Sequence, residues 1–305
     1  MRWEKLGLVY CPTGEMEWAT SHAFVPTPHL LPNDVIRVYA AFLDPKMVGR
    51  IGYVDVDARN PLRTIHVSEK PVLDVGEKGT FDDNGVTPMC IVQRESELWM
   101  YYTGWQLGVN TRYYLFTGLA VSSDGGATFR RHSRAPILDR SDRELHVRTA
   151  MHVHENNGIW RAWYIAGDSW INSGEKQVPT YNMRHLTSSD GVHWPEVGEV
   201  CLNPEGIDEY GFGRPFIQTI SNEYGMFYSI RTHSSGYRLG FARSSDGLSW
   251  RRLDELIGID VAEHGWDSQM ICFSAIQETR FGTYMFYNGN NYGQTGFGAA
   301  RLISW

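Results

Sequence analysis

Residues 122–129 read Ser-Ser-Asp-Gly-Gly-Ala-Thr-Phe, and the same turn recurs at residues 188–194 (Ser-Ser-Asp-Gly-Val-His-Trp) and 244–250 (Ser-Ser-Asp-Gly-Leu-Ser-Trp). Each copy follows one short β-forming run and precedes another. Glycine adopts the positive φ that tight hairpin turns require, and Ser and Asp side chains accept hydrogen bonds from turn amides. The motif therefore predicts a recurring hairpin, and it assigns Asp124, Asp190 and Asp246 a structural role.

A β-forming run that ends in aromatic residues lies upstream of each turn, at residues 98–102, 160–164 and 225–228. Two further copies, at residues 36–39 and 283–287, lack the Ser-Asp-Gly turn. A third recurring pattern, another β-forming segment, precedes each of these five aromatic runs. Four antiparallel strands that recur at roughly 55–65 residues are typical of a propeller blade with long loops. The sequence predicts five such blades.

The fifth unit lacks its outer strand, because only one further β-forming segment, residues 296–305, follows its aromatic run. Residues 3–10 (Trp-Glu-Lys-Leu-Gly-Leu-Val-Tyr) are similar to residues 194–201, which form the outer strand of the third unit. We therefore expect the N-terminal strand to complete the last blade, which would remove a free sheet edge. The predicted fold is an all-β, five-bladed β-propeller that forms a single domain over residues 1–305.

The composition excludes several classes of function. A net charge of −7 argues against a nucleic-acid partner, and no apolar run is long enough to span a membrane. The N-terminus has no signal-peptide pattern, and the four cysteines show no metal-ligand spacing, so we expect a cytoplasmic protein with free thiols and neither metal nor cofactor. His152 and His154 could face one side of a strand, but near a turn away from the predicted pocket.

The ordered set of motifs resembles the five-bladed propeller superfamily of glycoside hydrolases and phosphorylases, which includes arabinanases, invertases, levansucrases and mannosyl-glycoside phosphorylases. The resemblance rests on the Ser-Ser-Asp-Gly turns and on residues 81–86, 211–215, 265–268 and 287–293. The last three segments are most similar to uncharacterised cytoplasmic members linked to surface-polysaccharide biosynthesis. The resemblance implies an enzyme of carbohydrate metabolism.

Propeller geometry places the starts of first strands and the ends of second strands on one face, where the pocket would lie. Asp168 belongs to this set, and Trp105, Trp170 and Tyr292 are candidates for stacking on a sugar. The predicted substrate-binding residues are His22, Asp82, His146, Arg148, Arg214, Arg231, Trp266, Gln269, Asn288 and Asn290.

The predicted catalytic residues are Asp83, Asp267 and Glu144. The superfamily pattern implies acidic residues on the first strands of blades one to three, and glycosidic cleavage needs two carboxylates of different pKa. Asp82 or Asp83 matches the second-blade position and Glu144 could match the third, but His22 stands where the first-blade Asp is expected. Asp83 paired with Asp267 is the alternative set.

The favoured function is a glycosidase, a glycoside hydrolase or transglycosidase that acts on a small, anionic or activated sugar. A phosphorylase and a non-catalytic carbohydrate-binding propeller are the alternatives. The anionic character is inferred from Arg148, Arg214 and Arg231, because guanidinium groups bind carboxylate and phosphate in a two-point manner. The expected partner is a carbohydrate or nucleotide sugar, with phosphate as a candidate co-substrate. The sequence leaves a homo-oligomer open.

Overall fold

The chain folds into a structure that is almost entirely β. The structure, a computed structural model, describes residues 1–173 and 176–305, without the side chains of residues 168, 173 and 176. Its helical segments in these ranges are single turns at Asp254–Leu256 and Asn290–Gly293. None of the described helices has the length and apolar character that a bilayer span requires.

Twenty strands pair into five antiparallel groups of four within the described residues. Group one contains β2 (Ser21–Leu31), β3 (Val35–Leu43), β4 (Gly49–Asp57) and β5 (Asn60–Val67). Group two contains β6 (Val86–Arg94), β7 (Glu97–Leu107), β8 (Tyr113–Ser122) and β9 (Arg130–Arg131). Group three contains β10 (Val147–Asn156), β11 (Ile159–Ser173), β12 (Lys176–Ser188) and β13 (Glu199–Leu202). Group four contains β14 (Glu209–Ile220), β15 (Glu223–Thr232), β16 (Arg238–Ser244) and β17 (Arg251–Arg252).

Group five takes its outer strand from the beginning of the chain. It contains β18 (Cys272–Thr279), β19 (Gly282–Asn288), β20 (Phe297–Ser304) and β1 (Arg2–Tyr10). Strand β1 pairs antiparallel with β20, and Trp3, which is 8% exposed, packs with Phe227 and Ile257 of group four. The N-terminal strand thus occupies the outer position that the sequence predicts for it.

The Ser-Asp-Gly turns are built by their own side chains. In the third copy the Ser244 hydroxyl accepts from the Gly247 amide at 2.8 Å, and the Asp246 carboxylate accepts from Leu248 and Ser249, each at 2.8 Å. These backbone N–H groups and the Ser244 hydroxyl hold the pKa of Asp246 well below its ordinary value. The aspartate therefore stabilises the turn.

Each turn also binds the preceding strand group. An aromatic side chain on the second strand of one group donates to the glycine carbonyl in the turn of the next group. The pairs are Tyr39 with Gly126 at 2.9 Å, Tyr101 with Gly191 at 2.9 Å, and Trp163 with Gly247 at 2.7 Å. The aromatic runs and the Ser-Asp-Gly turns are therefore two halves of one repeated contact between neighbouring groups.

The first strand of every group breaks its pairing register near its middle, between residues 24 and 27, 88 and 90, 149 and 152, 213 and 216, and 272 and 275. Val25, Ala150 and Phe273 adopt the left-handed conformation at these breaks. Such irregularities redirect a strand and its side chains. The second halves of all five first strands line one cavity of about 210 Å³, which we call the axial cavity.

Candidate functional site

Buried or half-buried carboxylates lie beside the second strands of several groups, each held by a tyrosine hydroxyl and a cation. The three sets are Tyr102–Asp82–Arg131, Tyr228–Asp254–Arg252 and Tyr287–Asp267–Lys5. Their hydroxyl–carboxylate distances are 2.9, 2.6 and 3.0 Å, and their cation–carboxylate distances are 2.7, 2.6 and 2.7 Å. Recurrence at corresponding places indicates that Asp82 and Asp267 hold strands together.

Glu144 occupies the same place in group three and is fully buried. Its carboxylate accepts from the Tyr164 hydroxyl at 2.9 Å and from Arg184 at 2.9 Å, and it also pairs with Arg148. The Gly198 amide donates to it at 3.1 Å. Four donors occupy its oxygens, so the structure gives Glu144 the contacts of an internal ion-pair centre.

Asp83 is the most accessible of the three predicted catalytic carboxylates. It is half-buried, accepts from the Gly79 amide at 2.8 Å and is bonded to the Asn84 amide group. Asp83, Asp267 and Glu144 share no partner among these contacts, so the described contacts do not bring them together. Their catalytic roles stay predictions.

We expect Glu144→Gln to lower the free energy of unfolding by about 3–5 kcal/mol, because it leaves Arg148 and Arg184 without their buried counter-charge. Urea unfolding followed by tryptophan fluorescence measures this loss. Asp83→Asn is the matched control, with an expected change below about 1 kcal/mol. A Glu144→Gln variant of wild-type stability that has lost a measured glycosidase activity would instead support a catalytic Glu144.

The predicted arginines divide into three environments. Arg148 is buried against Glu144. Arg214 is 1% exposed, and its guanidinium donates to the carbonyls of Pro26, Met89 and Phe273 at 2.6–3.1 Å. These acceptors belong to groups one, two and five, so Arg214 ties group four to three others. Of the three arginines, Arg231 remains the candidate for binding an anionic sugar on the predicted pocket face.

Four predicted binding residues in groups five and one make local structural contacts. Asn288 is fully buried and joins the Ala23 carbonyl and the Val25 amide, each at 2.7 Å. Asn290 accepts from the Gln269 amide at 2.8 Å, and the Trp266 ring stacks on Tyr287 with centroids 5.2 Å apart. The Gln269 side chain is exposed.

His22 is 8% exposed and lies at the start of β2 in the left-handed conformation, with φ 55°. Its Nδ1 lies 3.0 Å from the Ser21 hydroxyl. Burial lowers the pKa of His22, which favours the neutral imidazole. A non-glycine residue in this conformation is uncommon and is worth testing for function.

Arg231 lies at the end of β15 among tyrosine rings. Its guanidinium is 4.4 Å from the Tyr181 ring centroid, 4.5 Å from Tyr210 and 5.8 Å from Tyr237. It donates to the Pro179 carbonyl at 2.8 Å, and its Nε has no hydrogen-bond partner. No carboxylate of the described side chains forms an ion pair with Arg231, so its charge is available to an anionic ligand.

More aromatic residues extend this cluster across groups two and three. Trp105 contacts Tyr113 with ring centroids 5.3 Å apart, Tyr113 contacts Trp170 at 5.4 Å, and Trp170 contacts His146 at 6.0 Å. His146 has a buried Nδ1 without a hydrogen-bond partner. We call Arg231 and its surrounding rings the aromatic basin; its members are Trp105, Tyr113, His146, Trp170, Tyr181, Tyr210, Tyr237 and Tyr292.

Tyr292 enters the basin from a strained turn. Asn291 and Tyr292 have φ values of 51° and 59°, and Gly293 follows at 92°. Two consecutive left-handed non-glycine residues carry a conformational cost that surrounding structure must offset. The turn leaves Tyr292 44% exposed, with its ring 5.2 Å from Tyr237. The strain therefore presents an aromatic face to solvent at the basin.

The cluster contains five residues that the sequence predicts for one face, namely Trp105, His146, Trp170, Arg231 and Tyr292. It also contains four that were not predicted there, namely Tyr113, Tyr181, Tyr210 and Tyr237. Tyr113 lies at the start of the third strand β8 and Tyr237 immediately before the third strand β16, whereas Tyr181 lies in the middle of β12. An aromatic residue at the start of a third strand could therefore have indicated Tyr113 and Tyr237 from sequence. The Asp168 side chain lies outside the described residues.

A depression separate from the axial cavity lies near the aromatic basin. It has a volume of about 460 Å³, and its lining includes Phe81, Gln106, Arg134 and Arg140. Gln106 follows Trp105 in the chain, and the Arg140 guanidinium lies 4.9 Å from the ring centroid of Tyr114, which itself neighbours His146 at 5.8 Å. The depression thus continues the basin towards two arginines.

In the part of the chain that the structure describes, no group of three or more His, Cys, Asp or Glu side chains is arranged to hold a metal ion. His152 and His154 are in ring contact, with centroids 4.9 Å apart.

Solved structures show which class of fold this is. The chain is similar to a glycoside hydrolase (TM-score 0.74, 19% identity, 98% of this chain and 90% of that one). It is also similar to a thermostable family-43 glycoside hydrolase (TM-score 0.69, 15% identity, 92% and 88%). A third structure comes from work titled as showing that the GH130 family of mannoside phosphorylases contains glycoside hydrolases targeting β-1,2 mannosidic linkages in Candida mannan (TM-score 0.66, 15% identity, 98% and 93%). The chain shares the propeller-type fold of these solved structures.

Two full-length relatives define the family more narrowly. The chain is 35% identical over 302 residues to Uncharacterized protein Rv1502 and to Uncharacterized protein MT1551, from two strains of Mycobacterium tuberculosis. The alignments cover 99% of this chain and 99% of each relative. No family model matches the chain. The chain belongs to the same protein family as these two mycobacterial proteins.

Proposed function

We propose that the five strand groups are the blades of one five-bladed propeller, a single domain over residues 1–305, and that β1 closes the ring. Three observations support this arrangement. Arg214 joins group four to groups one, two and five. Asn288 joins group five to group one. The axial cavity is lined by first-strand residues from all five groups.

We propose that the protein is a glycan-active enzyme that binds an anionic sugar derivative in the aromatic basin. The observation that carries the proposal is Arg231, a buried cation surrounded by tyrosine rings and unpaired with any described carboxylate. Aromatic faces stack on sugar rings, and a guanidinium binds carboxylate or phosphate. The neighbouring depression, with a volume of about 460 Å³, leaves room for a ligand larger than one monosaccharide, although its Arg134 and Arg140 pair with Glu77 and Asp139.

A glycoside hydrolase or transglycosidase remains the leading reaction class, and a phosphorylase is the alternative within the same fold. Two-carboxylate hydrolysis needs carboxyl groups about 5–10 Å apart across a cavity. Asp82, Asp267 and Glu144 are instead engaged by tyrosine and cationic partners. The phosphorylase alternative needs one acid beside bound phosphate, and Asp83 is the predicted carboxylate that could supply it.

A non-catalytic carbohydrate-binding propeller is the second candidate, and the same engagement of Asp82, Asp267 and Glu144 favours it. A screen of glycosides and nucleotide sugars, each with and without inorganic phosphate, separates the three classes. Turnover without phosphate supports hydrolysis or transfer, and turnover that requires phosphate supports phosphorolysis. Binding without turnover across the whole screen supports the non-catalytic protein. A cytoplasmic location and a role in polysaccharide biosynthesis stay predictions.

We expect Arg231→Met to weaken binding of sugar phosphates or uronates at least tenfold, while binding of the corresponding neutral methyl glycosides changes less than about twofold. Calorimetric titration over a salt series measures both ligand sets, because the ionic contribution to binding falls as salt rises. Arg251→Met, an exposed arginine on β17, is the control variant. Equal affinity of the wild type for charged and neutral ligands would contradict the anionic assignment.

A further inference from the structure

The axial cavity lies at the end of the strand groups opposite the aromatic basin. The basin is formed where first strands begin and second strands end. The axial cavity is lined by the later halves of the first strands, such as residues 152–154 of β10 and 276–277 of β18. A ligand in the aromatic basin would therefore not block access to the axial cavity.

The cavity lies beside a buried positive charge. Arg214 is 1% exposed, and among the described residues no carboxylate forms an ion pair with it. Three carbonyls and the Thr27 hydroxyl accept from its terminal nitrogens, and its Nε has no hydrogen-bond partner. Carbonyl dipoles offset only part of a full charge, so a buried cation of this kind favours a nearby anion.

Histidine supplies the cavity with an unpaired hydrogen-bonding group. His152 is 5% exposed, lines the cavity, and has no hydrogen-bond partner at either ring nitrogen. A buried polar group left unpaired is costly and calls for a missing partner. A neutral imidazole has one N–H to donate, which an anion can accept.

The remaining lining combines apolar side chains, such as Met89 and Ile217, with polar ones. The cavity is lined in part by His29, His154, Gln218 and Gln277, and its lining among the described residues includes no Asp or Glu. These four side chains are half-buried, which gives the cavity a route to solvent. Glu278 accepts from the Gln218 amide at 2.9 Å and is itself exposed, so solvent screens its charge.

We propose that the axial cavity binds a small inorganic anion, which accepts a hydrogen bond from His152 and lies in the field of Arg214. A volume of about 210 Å³ holds a halide with several waters or a single phosphate. The anion supplies the counter-charge that the described side chains do not provide. It thereby stabilises the convergence of the five first strands.

Bromide is the direct probe, because its anomalous scattering identifies it in a crystal of the whole protein. We expect an anomalous peak in the axial cavity within hydrogen-bond distance of a His152 nitrogen. Water alone in the cavity of a bromide-soaked crystal would overturn the proposal.

A solution measurement tests the same site without the crystal. We expect Tm to rise with chloride or bromide concentration at constant ionic strength, the balance being supplied by an organic sulfonate too bulky for the cavity. His152→Leu should remain folded, since it removes an unpaired buried polar group, but its apparent affinity for the halide should fall at least tenfold.

His264→Leu, an exposed substitution, is the matched control and should keep the halide response. A halide response of equal size in His152→Leu would overturn the assignment of the site. A loss of sugar binding in the basin, by contrast, would leave this proposal intact.

Discussion

Replacement of Arg214 by Met is expected to lower the free energy of unfolding by about 3–5 kcal/mol, because buried hydrogen-bonded charges leave costly unpaired partners when one side is removed. Arg214 donates to Pro26, Thr27, Met89 and Phe273, which lie in three strand groups other than its own. Methionine fills much of the same volume but donates to none of these acceptors. Equilibrium unfolding in urea measures the loss.

Arg214→Lys separates charge from geometry. Lysine keeps the positive charge, but its single ammonium group cannot reproduce the planar fork that reaches several carbonyls. We therefore expect Arg214→Lys to be destabilised nearly as much as Arg214→Met. Arg251→Met on the exposed strand β17 should stay within about 0.5 kcal/mol of the wild type. A change below about 1 kcal/mol in both Arg214 variants would show that the hydrogen bonds of Arg214 contribute little to the stability of the fold.

Deletion of residues 1–10 is expected to destabilise the protein by on the order of 5 kcal/mol or more, through lost burial of Trp3 and Val9 and an exposed edge of β20. Asp267, which is 3% exposed, would also lose its partner Lys5 and remain buried against Tyr287. Aggregation is the expected accompaniment, since an open strand edge pairs with other chains. Thermal unfolding and light scattering record both effects.

Trp3→Ala measures one part of this loss within the intact chain. Trp3 packs with Ile257 and Ile259 and with the Phe227 ring at 6.4 Å, and its truncation should cost about 3–5 kcal/mol. Arg2→Ala, an exposed neighbour, is the control and should change stability by less than about 0.5 kcal/mol. A truncated chain that melts at the wild-type temperature would show that β1 is dispensable.

The repeated fold signals could be recognised in sequence because they are local. The Ser-Asp-Gly turn is built from side chains within five residues of one another, as in the contacts of Asp246 with Leu248 and Ser249. The aromatic runs could be recognised by their repetition. The hydrogen bonds that these runs donate to the turns of the next group could not be recognised, since Tyr101 donates to Gly191, which lies 90 residues further along the chain.

The candidate site was harder to predict for the same reason. Asp82 and Asp267 have the composition and position of site residues, but their cations are Arg131 and Lys5, which are 49 and 262 residues distant. Sequence position predicts that a carboxylate lies near the axis of the predicted propeller. It does not show whether a cation already engages that carboxylate.

The sequence by itself determined the all-β class and the recurring four-strand unit, because turns and strand periodicity depend on neighbouring residues. The pairing of the N-terminal strand with the last one followed from repetition, because the fifth unit lacks an outer strand and residues 3–10 are similar to residues 194–201. Only the tertiary structure decided which polar residues are engaged inside the protein and which remain available. It assigned Glu144 and Arg148 to one buried ion pair and left Arg231 among tyrosine rings. Charge pairing depends on distance in space, and the chain brings those partners together only when the strand groups pack.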